Sequence, residues 1–139
     1  VSNGTLYPDV DVTGFNYAYG QVPGMPAIYE PNADLMRKTE EVLTKANKTY
    51  WLGQIGTGDS FINRPDQMEL IKKNCPSVVA IEMEAAAVAQ VCHHYEKPFI
   101  IVRALSDIAG KESHISFNEF LAVAAKESSE MVTELVSMI

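Results

Sequence analysis

Pro98-Phe99-Ile100-Ile101-Val102-Arg103-Ala104-Leu105-Ser106-Asp107 is the stretch that decides how this chain is read. Phe99 to Val102 is an unbroken apolar run rich in β-branched residues, and its length suits a strand buried on both faces. The run ends in Arg103 and then Ser106-Asp107, and Gly110 breaks the pattern. In open α/β sheets, ligands bind beyond the carboxyl ends of the strands, where the loops diverge and leave a crevice. Two readings are open at this point. Either the strand delivers an arginine, a serine and an aspartate to a site, or these residues merely finish a strand as a surface loop.

The same pattern recurs toward the N-terminus. Val78 to Ile81 reads as an apolar strand that runs into Glu82-Met83-Glu84. Residues 84 to 96 then read as a helix with Ala87, Val88, Val91, Cys92 and Tyr95 on one face, its alanines allowing close approach to a sheet. Residues 50 to 56 read as a strand ending in Gly56-Thr57-Gly58-Asp59-Ser60-Phe61-Ile62. With neither GxGxxG nor a P-loop lysine, this glycine-rich segment reads as a tight turn and not a phosphate cradle. Asn32 is placed to cap a helix over 33 to 48, with Leu35, Met36, Val42, Leu43 and Ala46 on one side. Asn63 or Arg64, with Pro65 in the first turn, starts another helix reaching about Asn74. Residues 1 to 31 hold so much Gly and Pro that they read as a short strand followed by an ordered aromatic loop.

Beyond the central run, Ser116-Phe117-Asn118-Glu119 matches a capping box, with Ile115 and Phe120 as its hydrophobic staple. The closing helix runs to about Met138. Its Phe117, Phe120, Leu121, Ala124, Met131, Val132 and Leu135 form a stripe assigned to core packing. His93 and His94 are adjacent on a helix and lack a ligand partner at i+3 or i+4, so they read as a solvated helix end and not a metal site. Strand and helix thus alternate four times, which predicts an α/β fold with a mostly parallel sheet covered on both faces.

Length and composition fit one globular domain. The chain has 139 residues, 47% of them hydrophobic, and a net charge of −7. No Lys/Arg cluster is present, so nucleic acid and anionic membrane surfaces are excluded as expected partners. No apolar run has the length of a transmembrane helix, and no signal peptide is seen. Cys75 and Cys92 are too few for a disulfide framework, which fits a reducing, cytoplasmic setting. The Asn-x-Thr sequons at Asn3 and Asn47 read as chance. The chain starts at Val1 without an initiator Met, which reads as processing or a fragment.

In a parallel sheet the three strand ends land at one edge, and that juxtaposition favours the site reading. Phe61 offers a flat ring for stacking on a heterocycle. Glu84 can accept hydrogen bonds from a vicinal diol such as ribose. Asp107, if kept neutral, can protonate a leaving group. Glycosidic cleavage divides its labour in this way, around an oxocarbenium-like transition state.

Several segments also resemble a known family. Gly58-Asp59-Ser60-Phe61-Ile62, Ala80-Ile81-Glu82-Met83-Glu84-Ala85 and Val102-Arg103-Ala104-Leu105-Ser106-Asp107 are similar to signature segments of bacterial 5′-methylthioadenosine/S-adenosylhomocysteine nucleosidases. Those enzymes belong to the purine nucleoside phosphorylase and uridine phosphorylase superfamily. Asp11 to Phe15, Tyr19 to Gly24 and Ser116 to Leu121 resemble the same subgroup, so the similarity runs over essentially the whole chain.

The resemblance implies a three-layer α/β sandwich and hydrolysis of the N-glycosidic bond of 5′-methylthioadenosine, S-adenosylhomocysteine and 5′-deoxyadenosine. It implies that Asp107 protonates adenine N7, with Ser106 holding its carboxyl. Phe61 would stack on adenine, the Ile62 backbone would pair with its Watson–Crick edge, and Met83 would pack on the sugar. Glu84 would bind the ribose hydroxyls; Arg103 would place Glu84 and the attacking water; Glu82 would sit nearby with a less defined role. Val12, Phe15 and Pro23 would reach across a homodimer to cover the neighbour's 5′-alkylthio group. No cofactor and no metal is implied.

The departures are as specific. Family members are longer, and this chain begins near their middle, so residues 1–139 are expected to form one domain incomplete at its N-terminal side. The N-terminal strands and the water-activating glutamate would lie in the part it lacks, and Pro8 stands where relatives tend to carry His. These 139 residues alone are therefore expected neither to turn over substrate well nor to form a complete sheet. A phosphate-dependent phosphorylase and a non-catalytic nucleoside-binding relative are the alternatives.

Overall fold

The computed structural model describes residues 1–105 and 117–139. Its elements are β1 (Ser2–Leu6), a 3-10 turn (Thr13–Phe15), α1 (Ala33–Lys45), β2 (Gly53–Thr57), α2 (Pro65–Asn74), β3 (Val78–Glu82), α3 (Ala85–His94) and α4 (Phe117–Ser137). The three strands form one sheet in the order β1-β2-β3, parallel throughout. Parallel order puts the carboxyl ends of β1, β2 and β3 at one edge; two of them, those of β2 and β3, are among the three strand ends that the sequence placed together.

Local chemistry accounts for the boundaries. The Asn32 side chain accepts from the Asp34 and Leu35 amides at 3.1 and 3.0 Å, capping α1. Pro65 opens α2, and the Gln67 side chain turns back to accept from the Asn63 and Arg64 amides. β1 is rich in small polar residues, yet its hydroxyls are all used. Thr5 Oγ1 donates to the Ile55 carbonyl at 2.8 Å, and Ser2 Oγ donates to the Gly4 carbonyl at 2.8 Å. Leu6, Ile71 and Cys75 form a buried cluster between sheet and α2, with Ile62, Val78 and Ile81 packed around it.

Four expectations need correction. Phe99 to Val102 does not join the sheet as a strand. It gives β1 a single bond, Ser2 N–H to the Ile101 carbonyl at 2.9 Å. The reason is competition: Tyr29 forms an antiparallel bridge with Thr5, using both its N–H and its C=O at 2.9 and 3.0 Å, on the side of β1 that a longer strand would need.

The second correction is to α3, which turns a different face inward. Ala85, Ala86 and Ala89 are buried against β1 and β2, whereas Val88 and Val91 are 51% and 57% exposed and Ala87 and Tyr95 face out with them. Small residues win the sheet side because they let the helix axis come close. The third is to α4, which packs on α1 and buries Leu135 and part of Met131, but leaves Leu121 and Val132 exposed. Among the described residues, its stripe is wider than its contact with α1 covers. Last, β2 begins later than predicted, leaving Trp51 and Leu52 exposed ahead of it, and Ala46 falls outside the buried face of α1. The capping box at Ser116 and its staple rest on residues outside those described.

Candidate active site

β2 and β3 end side by side, with Thr57 in register with Glu82 and Gly58 N–H donating to the Glu82 carbonyl at 3.1 Å. The chain leaving β1 lies over this edge. A Cβ on Gly56 would sit 2.9 Å from both the Pro8 ring and Ile81, so only glycine lets Pro8 close down on the end of β2. Tyr7 is held above the ordinary phenol value, first by burial and then by the Asp59 and Asp9 carboxylates nearby. Acidic side chains from two strand ends thus converge on it.

Glu82 is the most enclosed charge at this edge, its side chain 9% exposed. One carboxylate oxygen accepts from the Thr57 hydroxyl. The other accepts from the Glu84 amide at 3.0 Å and the Ala85 amide at 2.8 Å, and meets Arg103 Nη2 at 3.2 Å. A carboxylate with both oxygens engaged in this way is held firmly in place. It also answers a local need. The N-cap residue of α3, Glu84, makes no side-chain cap of its own, and its backbone leaves amides to be satisfied. Glu82 supplies the cap from two residues upstream, with its negative charge at the positive end of the helix.

That arrangement releases Glu84 for other work. Its side chain is 62% exposed and meets Arg103, whose Nη2 bridges Glu82 and Glu84. Glu84 therefore projects from a held backbone toward open space, with an oxygen available to an outside donor. Met83, between the two, is also exposed.

The other predicted residues fall as follows. Phe61 follows β2 and is 59% exposed, while Ile62 beside it is anchored against the Leu6–Ile71–Cys75 cluster. Val12, Phe15 and Pro23 lie on the loop after β1, with Phe15 79% exposed. That loop is ordered by its own side chains. Asp11 accepts from the Thr13 amide and hydroxyl, which keeps its carboxyl below the usual carboxylate range, and the Gln21 amide bridges Ala18 and Met25. Ser106 and Asp107 lie outside the described residues. Thr57 was not singled out by the sequence. The signal available was a hydroxyl at the last position of one strand facing a carboxylate at the last position of the next.

Among the described residues, no group of three His, Cys, Asp or Glu side chains is placed to hold a metal ion. His93 packs edge-on to Tyr29 and His94 to Tyr95. Among the described residues, no helix is long and apolar enough to cross a membrane.

The chain is similar to a well-defined set of proteins. The family described as the phosphorylase superfamily matches residues 1–137. The 5′-methylthioadenosine/S-adenosylhomocysteine nucleosidase of Oceanobacillus iheyensis is 47% identical over 139 residues, and that of Bacillus subtilis 49% identical over 140. Each comparison covers all of this chain and 61% of the relative, so the chain spans about 61% of the length of the curated relatives it matches. The crystal structure of the Neisseria meningitidis nucleosidase in complex with methylthio-immucillin-A superimposes with a TM-score of 0.91 at 42% identity, over 99% of this chain and 60% of that one. The Streptococcus pyogenes S-adenosylhomocysteine nucleosidase in complex with 5-methylthiotubericidin gives 0.89 at 37% identity, over 99% and 58%. These superpositions bear out the α/β fold class expected from the sequence.

Proposed function

The chain belongs to the phosphorylase superfamily, and from that premise we propose that it carries the adenine-binding, ribose-binding and acid residues of a nucleosidase. The reaction is hydrolysis of the N-glycosidic bond of 5′-methylthioadenosine, S-adenosylhomocysteine and 5′-deoxyadenosine, giving adenine and the 5-substituted ribose. The observation that carries this reading is the division of labour at the end of β3. One carboxylate is consumed in holding the backbone, and the next stands exposed beside an arginine with acceptor capacity to spare. The relatives' complexes with methylthio nucleoside analogues support the same chemistry.

In this mechanism Phe61 stacks on adenine and the Ile62 backbone meets its edge. Glu84 accepts from the ribose hydroxyls, and Met83 lies against the sugar. Asp107, oriented by Ser106, gives its proton to adenine N7. The C1′–N9 bond then breaks with its electron pair leaving on the base, and a water placed near Arg103 adds to C1′ and releases its proton to bulk solvent. Each task is one that general acid catalysis and oxocarbenium chemistry require. Val12, Phe15 and Pro23 cover the 5′ substituent of a second subunit in a homodimer. The exposed Phe15 suits such a contact. A cytoplasmic enzyme that recycles sulfur nucleosides is the setting this chemistry fits.

The test is adenine release by the protein expressed from its native gene, with and without phosphate. Hydrolysis independent of phosphate is expected, and Asp107→Asn should slow it by about 1,000-fold while leaving binding of a methylthio nucleoside analogue within a few-fold. An active Asn variant would remove the acid assignment, and strict dependence on phosphate would make the enzyme a phosphorylase.

A further inference from the structure

Thr57 is the last residue of β2 and is buried. Its hydroxyl works in both directions: it accepts from the Ala86 amide at 2.8 Å and donates to Glu82. The far oxygen of Glu82 then holds the amides of Glu84 and Ala85 and the guanidinium of Arg103. Among the described residues, the Glu84 carboxylate has no partner other than Arg103. Where its carboxylate points is set by its own backbone and by Arg103, and both are tied to Glu82. Glu82 in turn is fixed at its other oxygen by one hydroxyl.

We propose that Thr57 is a positioning residue for the ribose subsite. Acting through Glu82, it fixes the Glu84 carboxylate and the Arg103 guanidinium where the substrate diol and the attacking water must meet them. The inference rests on the reading of Glu84 as the ribose acceptor. A hydroxyl is required at this point because the position must accept from one group and donate to another. Serine meets that requirement. Valine fills the same volume and meets neither half of it. Because Thr57 touches no reacting atom, its effect should appear as lost alignment, a loss of the kind that small displacements cause.

The experiment compares Thr57→Val and Thr57→Ser in the protein expressed from its native gene, alone and combined with Glu84→Ala. Thr57→Val should lower kcat/KM for 5′-methylthioadenosine by about 10-fold, and Thr57→Ser should restore it to within about 3-fold. In the Glu84→Ala background the same Val substitution should cost less than about 2-fold, because the group it positions is gone. Wild-type kinetics for Thr57→Val, or an equal cost in both backgrounds, would overturn the proposal. A second readout separates it from the proposed reaction. Hydrogen exchange at the Glu84, Ala85 and Ala86 amides should be about 10-fold faster in the Val variant and near wild type in the Ser variant. A wild type that cleaves no nucleoside but shows this exchange pattern faults the reaction and upholds the anchoring by Thr57. Unchanged exchange faults Thr57 whatever the reaction.

Discussion

The floor of the site at Glu82 and its rim at Glu84 stand two residues apart and live in opposite surroundings. Glu82 is enclosed, with both oxygens occupied by a hydroxyl, two helix amides and an arginine. Glu84 is open, with the same arginine as its partner. Identical side chains thus divide into one that holds the fold and one that stands open beside an arginine. What separates them is the supply of donors and not any property of the residue. Arg103 links the two, so the rim is only as well placed as the floor.

The comparison can be broken most directly at the rim. Glu84→Ala should reduce kcat/KM for 5′-methylthioadenosine by about 100-fold, the value of two charge-assisted hydrogen bonds to a diol. Its thermal midpoint should stay within about 2 °C of wild type, since α3 keeps its cap from Glu82. A large drop in the midpoint would show that Glu84 belongs to the floor after all. Glu82→Gln should behave in the opposite sense. The amide keeps the shape but offers one acceptor oxygen where two are used, so urea titration should register a loss of about 1–2 kcal/mol. Its activity should fall as a consequence of lost alignment, by less than the rim variant. Equal stability of the two variants would erase the distinction.

The smallest effect tests how dry the Leu6–Ile71–Cys75 cluster is. Burial pushes the Cys75 thiol above its ordinary value. A raised thiol pKa means the folded state keeps the proton while the unfolded chain loses it. Stability is therefore undiminished below the ordinary thiol value and declines as pH rises from there to the folded value. Urea midpoints should drift down above about pH 8.5, and Cys75→Ala should flatten that drift. A drift that persists unchanged in the Ala variant would assign it elsewhere.

Much of this was legible in the sequence because single residues carried it. Asn32 and Pro65 mark helix starts that chemistry alone dictates, and the structure honours both. The apolar run at Val78 gives β3, and its Glu-Met-Glu tail falls at the sheet edge as expected. The face of α3 was not legible. Valines at 88 and 91 with Tyr95 make as regular a stripe as alanines at 85, 86 and 89, and a pattern of apolar residues cannot say which stripe faces a sheet that needs a close neighbour. The placement of Phe99 to Val102 was hidden for a similar reason. Its composition is that of a strand, but Tyr29, far away in sequence, takes the bonds it would have used. The roles of Glu82 and Thr57 depend on register between two strands, which no spacing along one chain reveals.

The bridge between Thr5 and Tyr29 has a consequence for how this molecule can change. It pins both ends of residues 6–28 to β1, so the segment is a loop closed at its base by two backbone hydrogen bonds. The entropy of closing such a loop grows only with the logarithm of its length, and six residues added at its tip would cost about 0.2 kcal/mol. The loop with Phe15 at its crown can therefore be lengthened, shortened or re-cut while the carboxylates at the strand ends stay where they are. A lineage built on this plan could change what it reaches out to touch without disturbing what it holds.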